Sequence, residues 1–91
     1  MRVEKIKIDD ILYEHCEYEE SLKQSLLRIG VSFPLHVKLC EQGYLCEDGH
    51  KRLSCIHDLL AQGEHEKLRY VPAIITQRAR SAPPMYLKNH H

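Results

Sequence analysis

The chain has 91 residues, of which 43% are hydrophobic and 29% charged, a composition typical of one folded domain rather than of a disordered segment. Thirteen lysines and arginines balance thirteen aspartates and glutamates, so the formal net charge is zero. Because sequence-independent binding to nucleic acid needs a basic surface, this balance argues against that function and leaves a local anion site open.

No hydrophobic run is long enough to span a membrane, and the N-terminal residues lack the apolar centre of a signal peptide. We therefore predict a cytoplasmic protein with no membrane partner, whose four cysteines are reduced thiols. The cysteine spacing does not match a zinc ribbon or finger, and the sequence assigns no metal site. His90 and His91 are either native or the remnant of a purification tag, and we give them no functional weight.

Hydrophobic periodicity predicts six elements in the order β–α–β–β–α–β. They lie at residues 3–8, 18–29, 35–40, 44–46, 50–62 and 71–75. A turn should carry Ile11 and Leu12 into the core, and Gly30 is a natural end for the first helix. Pro72, near the start of the last strand, indicates an edge position for that strand. This order predicts a compact α+β domain with a small mixed sheet covered by two main helices.

One apolar face is predicted along the first helix, formed by Tyr18, Leu22, Leu26 and Ile29. We assign residues 1–76 to the domain and residues 77–91 to an extended C-terminal tail. The tail contains two consecutive prolines and a basic group, Arg78, Arg80 and Lys88. It is interpreted as a solvated tail or, alternatively, as an arm that contacts DNA or an acidic partner.

The stretch YLCEDGHKRLSC, residues 44–55, places a cationic cluster just behind a glycine where a strand leads into a helix. The first N–H groups of a helix lack internal partners and carry partial positive charge, which repels Lys51 and Arg52 by roughly 0.3–1 kcal/mol each. A bound phosphate would compensate for this repulsion, and Gly49 would let the backbone approach such a ligand closely. The pattern therefore predicts a phosphate-binding turn.

A second interpretation of this stretch needs no ligand. Glu47 and Asp48 could neutralise Lys51 and Arg52 as surface ion pairs, with Asp48 as the helix cap. The spacing of these residues does not decide between a phosphate-binding turn and surface ion pairs.

Two histidines lie on the second predicted helix. His50, at its start, is a candidate general base or phosphate contact, with a solvent-facing histidine as the alternative. His57, at the edge of the apolar stripe, is predicted to be a packed core or boundary residue. A run of four glutamates before the first helix could supply a metal ligand or base for phosphoryl transfer: Glu14, Glu17, Glu19 and Glu20.

Residues 22–75 resemble the N-terminal domain of the ParB family, in the superfamily shared with sulfiredoxin. The resemblance rests on a helix that stops at a glycine and leads to a proline (SLKQSLLRIGVSFP), on the hairpin and glycine–arginine box LHVKLCEQGYLCEDGHKRLSC, and on the last strand YVPAII. The resemblance implies that Gly49 is the position of close approach, Arg52 the main phosphate ligand and Lys51 a second ligand. The nucleotide site implied in this way consists of Asp48, Gly49, His50, Lys51 and Arg52.

Three departures from the family pattern restrict the expected function. His50 stands where sulfiredoxin has its nucleophilic cysteine and where ParB usually has glutamate, and Cys55 lies five residues further on, so reductase chemistry is not expected. Phe33 stands where ParB commonly has glutamine. Nothing after residue 76 is expected to form the DNA-reading helix-turn-helix that follows this domain in ParB.

The resemblance implies a stand-alone module that binds the phosphates of a nucleoside triphosphate, CTP or ATP, with or without Mg²⁺. Such a module would be an accessory or switch in DNA maintenance or partition-type processes, with DNA, a DNA-binding protein or a second copy of the chain as partner. One alternative is a small metal-dependent phosphotransferase or nuclease, with His50 or a carboxylate as its catalytic base. The other is a protein-interaction module whose nucleotide site has lapsed.

Overall fold

A computed structural model of the chain describes residues 3–63 and 65–78, which form a five-stranded mixed sheet and two α-helices. The strands are β1 (Val3–Lys7), β2 (Ile11–Leu12), β3 (Leu35–Cys40), β4 (Gly43–Asp48) and β5 (Tyr70–Arg78). The helices are α1 (Glu20–Ile29) and α2 (His50–Ala61), and short 3-10 helices precede β2 and β5. The predicted α+β architecture is confirmed. Most of the predicted tail, residues 79–91, lies outside the described residues.

The strand order in the sheet is β1-β5-β3-β4-β2. β5 runs antiparallel to β1 and parallel to β3, while β3 and β4 form an antiparallel hairpin and β2 lies parallel to β4. β4 ends at Asp48 and α2 begins at His50, so Gly49 is the whole connection between them. This single-residue connection places the start of α2 directly at the end of a sheet strand.

The edge position predicted for the last strand is wrong, because β5 lies between β1 and β3. Pro72 lies opposite Lys5 of β1, whereas pairing with β3 begins one residue later, at Ala73. At Pro72 the strand therefore has a partner on one side only, and the missing N–H removes no hydrogen bond to β3. The proline marks a local edge within a central strand.

One hydrophobic core joins both helices to one face of the sheet. It contains Leu26 of α1, Leu53 and Ile56 of α2, and inward-facing residues of β1, β3, β4 and β5. Ile29, the last residue of α1, is 58% exposed, so the predicted apolar face of this helix is wrong at its final position. The helix leaves the core at that point.

The predicted order of elements lacked β2, which is only two residues long and pairs with β4. Periodicity cannot identify so short a strand, whose pairing depends on residues more than thirty positions away. The burial predicted for Ile11 and Leu12 is confirmed. Within the described part of the chain, no helix is long and apolar enough to cross a membrane.

Candidate functional site

The site is built around the junction between β4 and α2. Gly49 precedes α2 with φ 127° and ψ 17°, a conformation that residues with a side chain rarely adopt. A Cβ atom at this position would lie 2.3 Å from Cδ2 of Leu35, which is fully buried. Glycine is therefore required here both by the backbone conformation and by the packing of Leu35.

The N-terminus of α2 is left without a capping side chain. The first intrahelical hydrogen bond runs from Leu53 N–H to the Gly49 carbonyl, at 2.9 Å. Gly49 occupies the cap position, and no side chain caps the helix there, so the interpretation of Asp48 as the cap is wrong. The amide end of the helix dipole can thus act on an anion.

Lys51 and Arg52 differ in how firmly they are held. Lys51 is exposed, and its Nζ lies 3.4 Å from Oε1 of Glu19. The Arg52 side chain is only 20% exposed and donates from Nη1 to the Phe33 carbonyl at 2.5 Å. Arg52 therefore ties the start of α2 to the loop that follows α1, whereas Lys51 can change partner at little cost.

The surface pairs proposed as an alternative to a ligand are only partly present. Nη2 of Arg52 lies 3.8 Å from Oδ2 of Asp48. Glu47 instead pairs with Lys38 at 3.3 Å and accepts a short hydrogen bond from Thr76, which lowers the pKa of the Glu47 carboxyl. Glu47 therefore does not neutralise the cations of α2, because its partners lie on β3 and β5.

His50 is held by the backbone of a distant segment. Its Nδ1 accepts a hydrogen bond from the Glu14 N–H at 3.1 Å. A ring nitrogen that accepts cannot carry the hydrogen, so a neutral His50 has its hydrogen on Nε2. This tautomer favours a role as hydrogen-bond donor to a phosphate over a role as general base.

The segment that holds His50, residues 13–19, crosses over α2, and we call it the crossing segment. Its contacts with α2 include a hydrogen bond of 2.9 Å from the Cys16 N–H to Oγ of Ser54. Ser54 is fully buried and also donates to the His50 carbonyl at 2.7 Å. Sequence analysis identified glutamates in the crossing segment but not its contacts, because the segment has neither helical nor strand periodicity.

The residues predicted for the nucleotide site come together in one cavity, and of the four candidate glutamates Glu19 alone lines it. The cavity has a volume of about 500 Å³ and is lined by Glu19, Leu22, Asp48, Gly49, His50, Lys51 and Arg52. All five residues that the sequence assigned to a nucleotide site are among them, and Glu19 and Leu22 are added from α1 and its cap position. Pockets of roughly 300–1,000 Å³ are typical of small-molecule sites. Helix amides, a lysine and an arginine at one wall fit a phosphate group.

The packed position predicted for His57 is wrong, because its side chain is 58% exposed. It lies on the outer face of α2, next to Asp58, whose Oδ2 accepts a hydrogen bond of 2.6 Å from the Tyr18 hydroxyl. Burial raises the pKa of the Asp58 carboxyl, but hydrogen bonds from Tyr18, His15 and His57 outweigh it and leave this pKa below its usual range.

The cysteines supply no nucleophile to the cavity. Cys40, Cys46 and Cys55 are buried and Cys16 is half-buried. Burial, as the largest cause, raises the pKa of the Cys46 thiol to about 12 and also raises that of Cys55. Both sulfurs are therefore protonated thiols at neutral pH, and the thiolate needed for nucleophilic attack is nearly absent.

We expect a thiol-modifying reagent at pH 7–8 to label Cys16 in the native protein and to label Cys46 and Cys55 only after denaturation. Mass spectrometry of labelled peptides would measure this. Labelling of Cys55 as fast in the native protein as in denaturant would contradict the burial and the raised pKa.

The sequence matches no family model and no curated protein. The fold is similar to that in the crystal structure of the C-terminally truncated chromosome-partitioning protein ParB from Caulobacter crescentus, complexed with CTP-gamma-S. The TM-score is 0.61 at 16% sequence identity, and the match covers 98% of this chain. The chain has a ParB-like fold. It spans about half of the ParB chain, 49% of its length, and at this identity the likeness establishes the fold.

The ParB-like fold confirms the architecture that the resemblance implied, with the hairpin β3–β4 followed by α2 and the last strand β5. In this chain the glycine–arginine box, residues 49–52, lies at the junction between β4 and α2. The geometry brings the residues of that box to one cavity wall.

Proposed function

We propose that this chain is a ParB-like nucleotide-binding module that holds the phosphates of a nucleoside triphosphate against the N-terminus of α2. The observation that carries this proposal is the cavity of about 500 Å³ that joins the uncapped end of α2 to Lys51 and Arg52. The fold neighbour is a ParB complexed with CTP-gamma-S, which supports a nucleotide as the ligand.

Three residues of the cavity hold the phosphates in this proposal. Gly49 lets the phosphates reach the backbone, and the helix amides act as donors to phosphate oxygens. Lys51 exchanges the Glu19 carboxylate for a phosphate, while Arg52 keeps its hydrogen bond to the Phe33 carbonyl. Since a guanidinium has five N–H donors, Arg52 can bind the loop and a phosphate oxygen together.

The two carboxylates at the cavity suit a cation that accompanies the triphosphate. Asp48 and Glu19 both line the cavity, and both are largely exposed. Mg²⁺ is usually bound by one or two carboxylates together with substrate phosphates. We therefore propose that Mg²⁺ enters with the nucleotide and is held by oxygen atoms of Asp48 or Glu19 in addition to the phosphates.

The proposed role of the module is that of an accessory or switch in DNA maintenance, acting in the cytoplasm with DNA, a DNA-binding protein or a second copy of the chain. This role is supported by the chromosome-partitioning function named for the fold neighbour. The balanced net charge suits a protein whose DNA contact depends on a partner.

A thermal-shift series with CTP, ATP, GTP and UTP, each with and without Mg²⁺, tests the binding. A ligand at 100 times its Kd stabilises the folded state by about 2.7 kcal/mol. For a domain of this size that corresponds to a rise in Tm on the order of ten degrees. We expect such a rise with CTP or ATP, larger in the presence of Mg²⁺.

Lys51→Ala should reduce the nucleotide-induced shift sharply while leaving the Tm of the free protein nearly unchanged, because Lys51 is exposed and its ion pair with Glu19 is a surface pair. Lys67→Ala, which removes an exposed lysine away from the cavity, is the matched control and should keep the full shift. The absence of a shift with every nucleotide would overturn the proposal in favour of a lapsed site. Chemical conversion of the nucleotide during incubation, or nicking of plasmid DNA, would support the enzyme alternative.

A further inference from the structure

A second cluster of polar side chains lies on α2, away from the nucleotide cavity. It consists of His15 of the crossing segment together with His57 and Asp58 of α2. His57 lies seven residues after His50, which is about 10 Å along the helix axis. The cluster and the cavity therefore share a helix but no residue.

The three side chains converge on one point. Nε2 of His15 lies 3.2 Å from Oδ1 of Asp58, and Nδ1 of His57 lies 3.4 Å from the same oxygen. The three atoms all lie within 4.8 Å of one another. The two imidazole rings meet edge to face, with their centroids 5.7 Å apart.

These separations fit a tetrahedral metal ion. Zinc binds histidine nitrogen and carboxylate oxygen at about 2.0–2.2 Å, so neighbouring ligand atoms in a tetrahedral site are roughly 3.3–3.5 Å apart. The two separations from Asp58 are already in or close to that range. The third separation, between Nε2 of His15 and Nδ1 of His57, is at most 4.8 Å. Both rings are exposed, so they can rotate to bring these two nitrogens to the separation that zinc requires.

The carboxylate of the cluster is oriented by a second contact. Oδ2 of Asp58 accepts the Tyr18 hydroxyl at 2.6 Å, which leaves Oδ1 directed at the two histidines. Hydrogen bonds of this kind to a ligating carboxylate are a common feature of metal sites, and they fix the orientation of the ligand.

We propose that His15, His57 and Asp58 form a binding site for a divalent late first-row metal ion, with Zn²⁺ as the first candidate. Two imidazoles and one carboxylate are a donor set that zinc accepts, and three protein ligands leave a fourth position for water or a substrate. The ion would also link the crossing segment to α2 and so stabilise the fold. The proposal does not depend on the nucleotide function, because the cavity residues are not involved.

Metal titration of the full chain tests this proposal. Because His90 and His91 can themselves bind metal, the background for all measurements is the variant with both replaced by glutamine. Zn²⁺ affinity is measured by competition with a chromogenic chelator, and Co²⁺ binding by its visible absorption spectrum, which reports tetrahedral coordination. We expect one ion per chain and a spectrum of a site with nitrogen and oxygen ligands.

Three single substitutions distinguish Zn²⁺ binding at this cluster from adventitious binding elsewhere on the protein. His57→Ala removes an exposed ligand and should weaken Zn²⁺ binding by about 100-fold, while Tyr18→Phe, which removes only the orienting hydroxyl, should weaken it by roughly 10-fold. His36→Gln changes a histidine of β3 outside the cluster and should leave the affinity unchanged.

Equal affinity in the His57→Ala and parent proteins, or no Zn²⁺ binding by the parent, would overturn the proposal. Unchanged nucleotide binding in His57→Ala would confirm that the two sites are separate.

Discussion

Replacing Gly49 with alanine should lower the free energy of unfolding by about 2–6 kcal/mol, since a positive φ and overpacking each cost roughly 1–3 kcal/mol. The conformational part arises because φ is 127° at this position. The packing part arises because the new Cβ would lie 2.3 Å from Cδ2 of the fully buried Leu35. Chemical denaturation followed by circular dichroism would measure the loss.

Gly63→Ala is the matched control for this change. Gly63 also has a positive φ, 81°, but a Cβ added there would have no atom of the described residues within 4 Å apart from its chain neighbours. Its replacement should therefore show only the conformational cost, on the order of 1 kcal/mol. Equal losses in the two variants would show that Leu35 does not constrain the β4–α2 junction. Gly49→Ala should also abolish the nucleotide-induced shift, whereas Gly63→Ala should keep it.

Ser54→Ala is expected to destabilise the protein by about 1–3 kcal/mol, the cost of leaving a buried polar group without its hydrogen-bond partner. Ser54 is fully buried, and its hydroxyl accepts the Cys16 N–H at 2.9 Å while donating to the His50 carbonyl. Alanine leaves the Cys16 amide without this acceptor. Hydrogen exchange should therefore accelerate at Cys16 and its neighbours in the crossing segment more than in the sheet.

Ser21→Ala, at an exposed position of α1, provides the comparison and should change stability by less than about 0.5 kcal/mol. If the Ser54 and Ser21 variants were equally stable, and exchange at Cys16 were unchanged, the hydroxyl of Ser54 would not be what holds the crossing segment on α2.

The crossing segment links the two proposed sites. The Glu14 N–H holds His50, and Glu19 pairs with Lys51 at the cavity. The same segment supplies His15 and Tyr18 to the cluster around Asp58. Loosening this segment by Ser54→Ala should therefore weaken both nucleotide and metal binding. In contrast, Lys51→Ala should weaken only nucleotide binding, and His57→Ala should weaken only metal binding.

Much of the fold was predictable from local sequence patterns. The periodicity of residues 18–29 and 50–62 predicted α1 and α2 to within two residues at each end, because helical burial repeats over several turns and leaves a long signal. The candidate nucleotide site was also predictable, since Gly49, Lys51 and Arg52 are neighbours in sequence. Side chains that lie within one helical turn are brought together by local structure alone.

Only the tertiary structure decided the features that join distant segments. The two-residue strand β2 and the central position of β5 depend on pairing with strands far away in the sequence. His15 and Asp58 are 43 positions apart and meet only because the crossing segment packs on α2. His15 lies outside any periodic pattern, and the helical period that contains Asp58 does not indicate which distant segment packs on α2. The nucleotide cavity could therefore be proposed from the sequence, whereas the metal cluster required the fold.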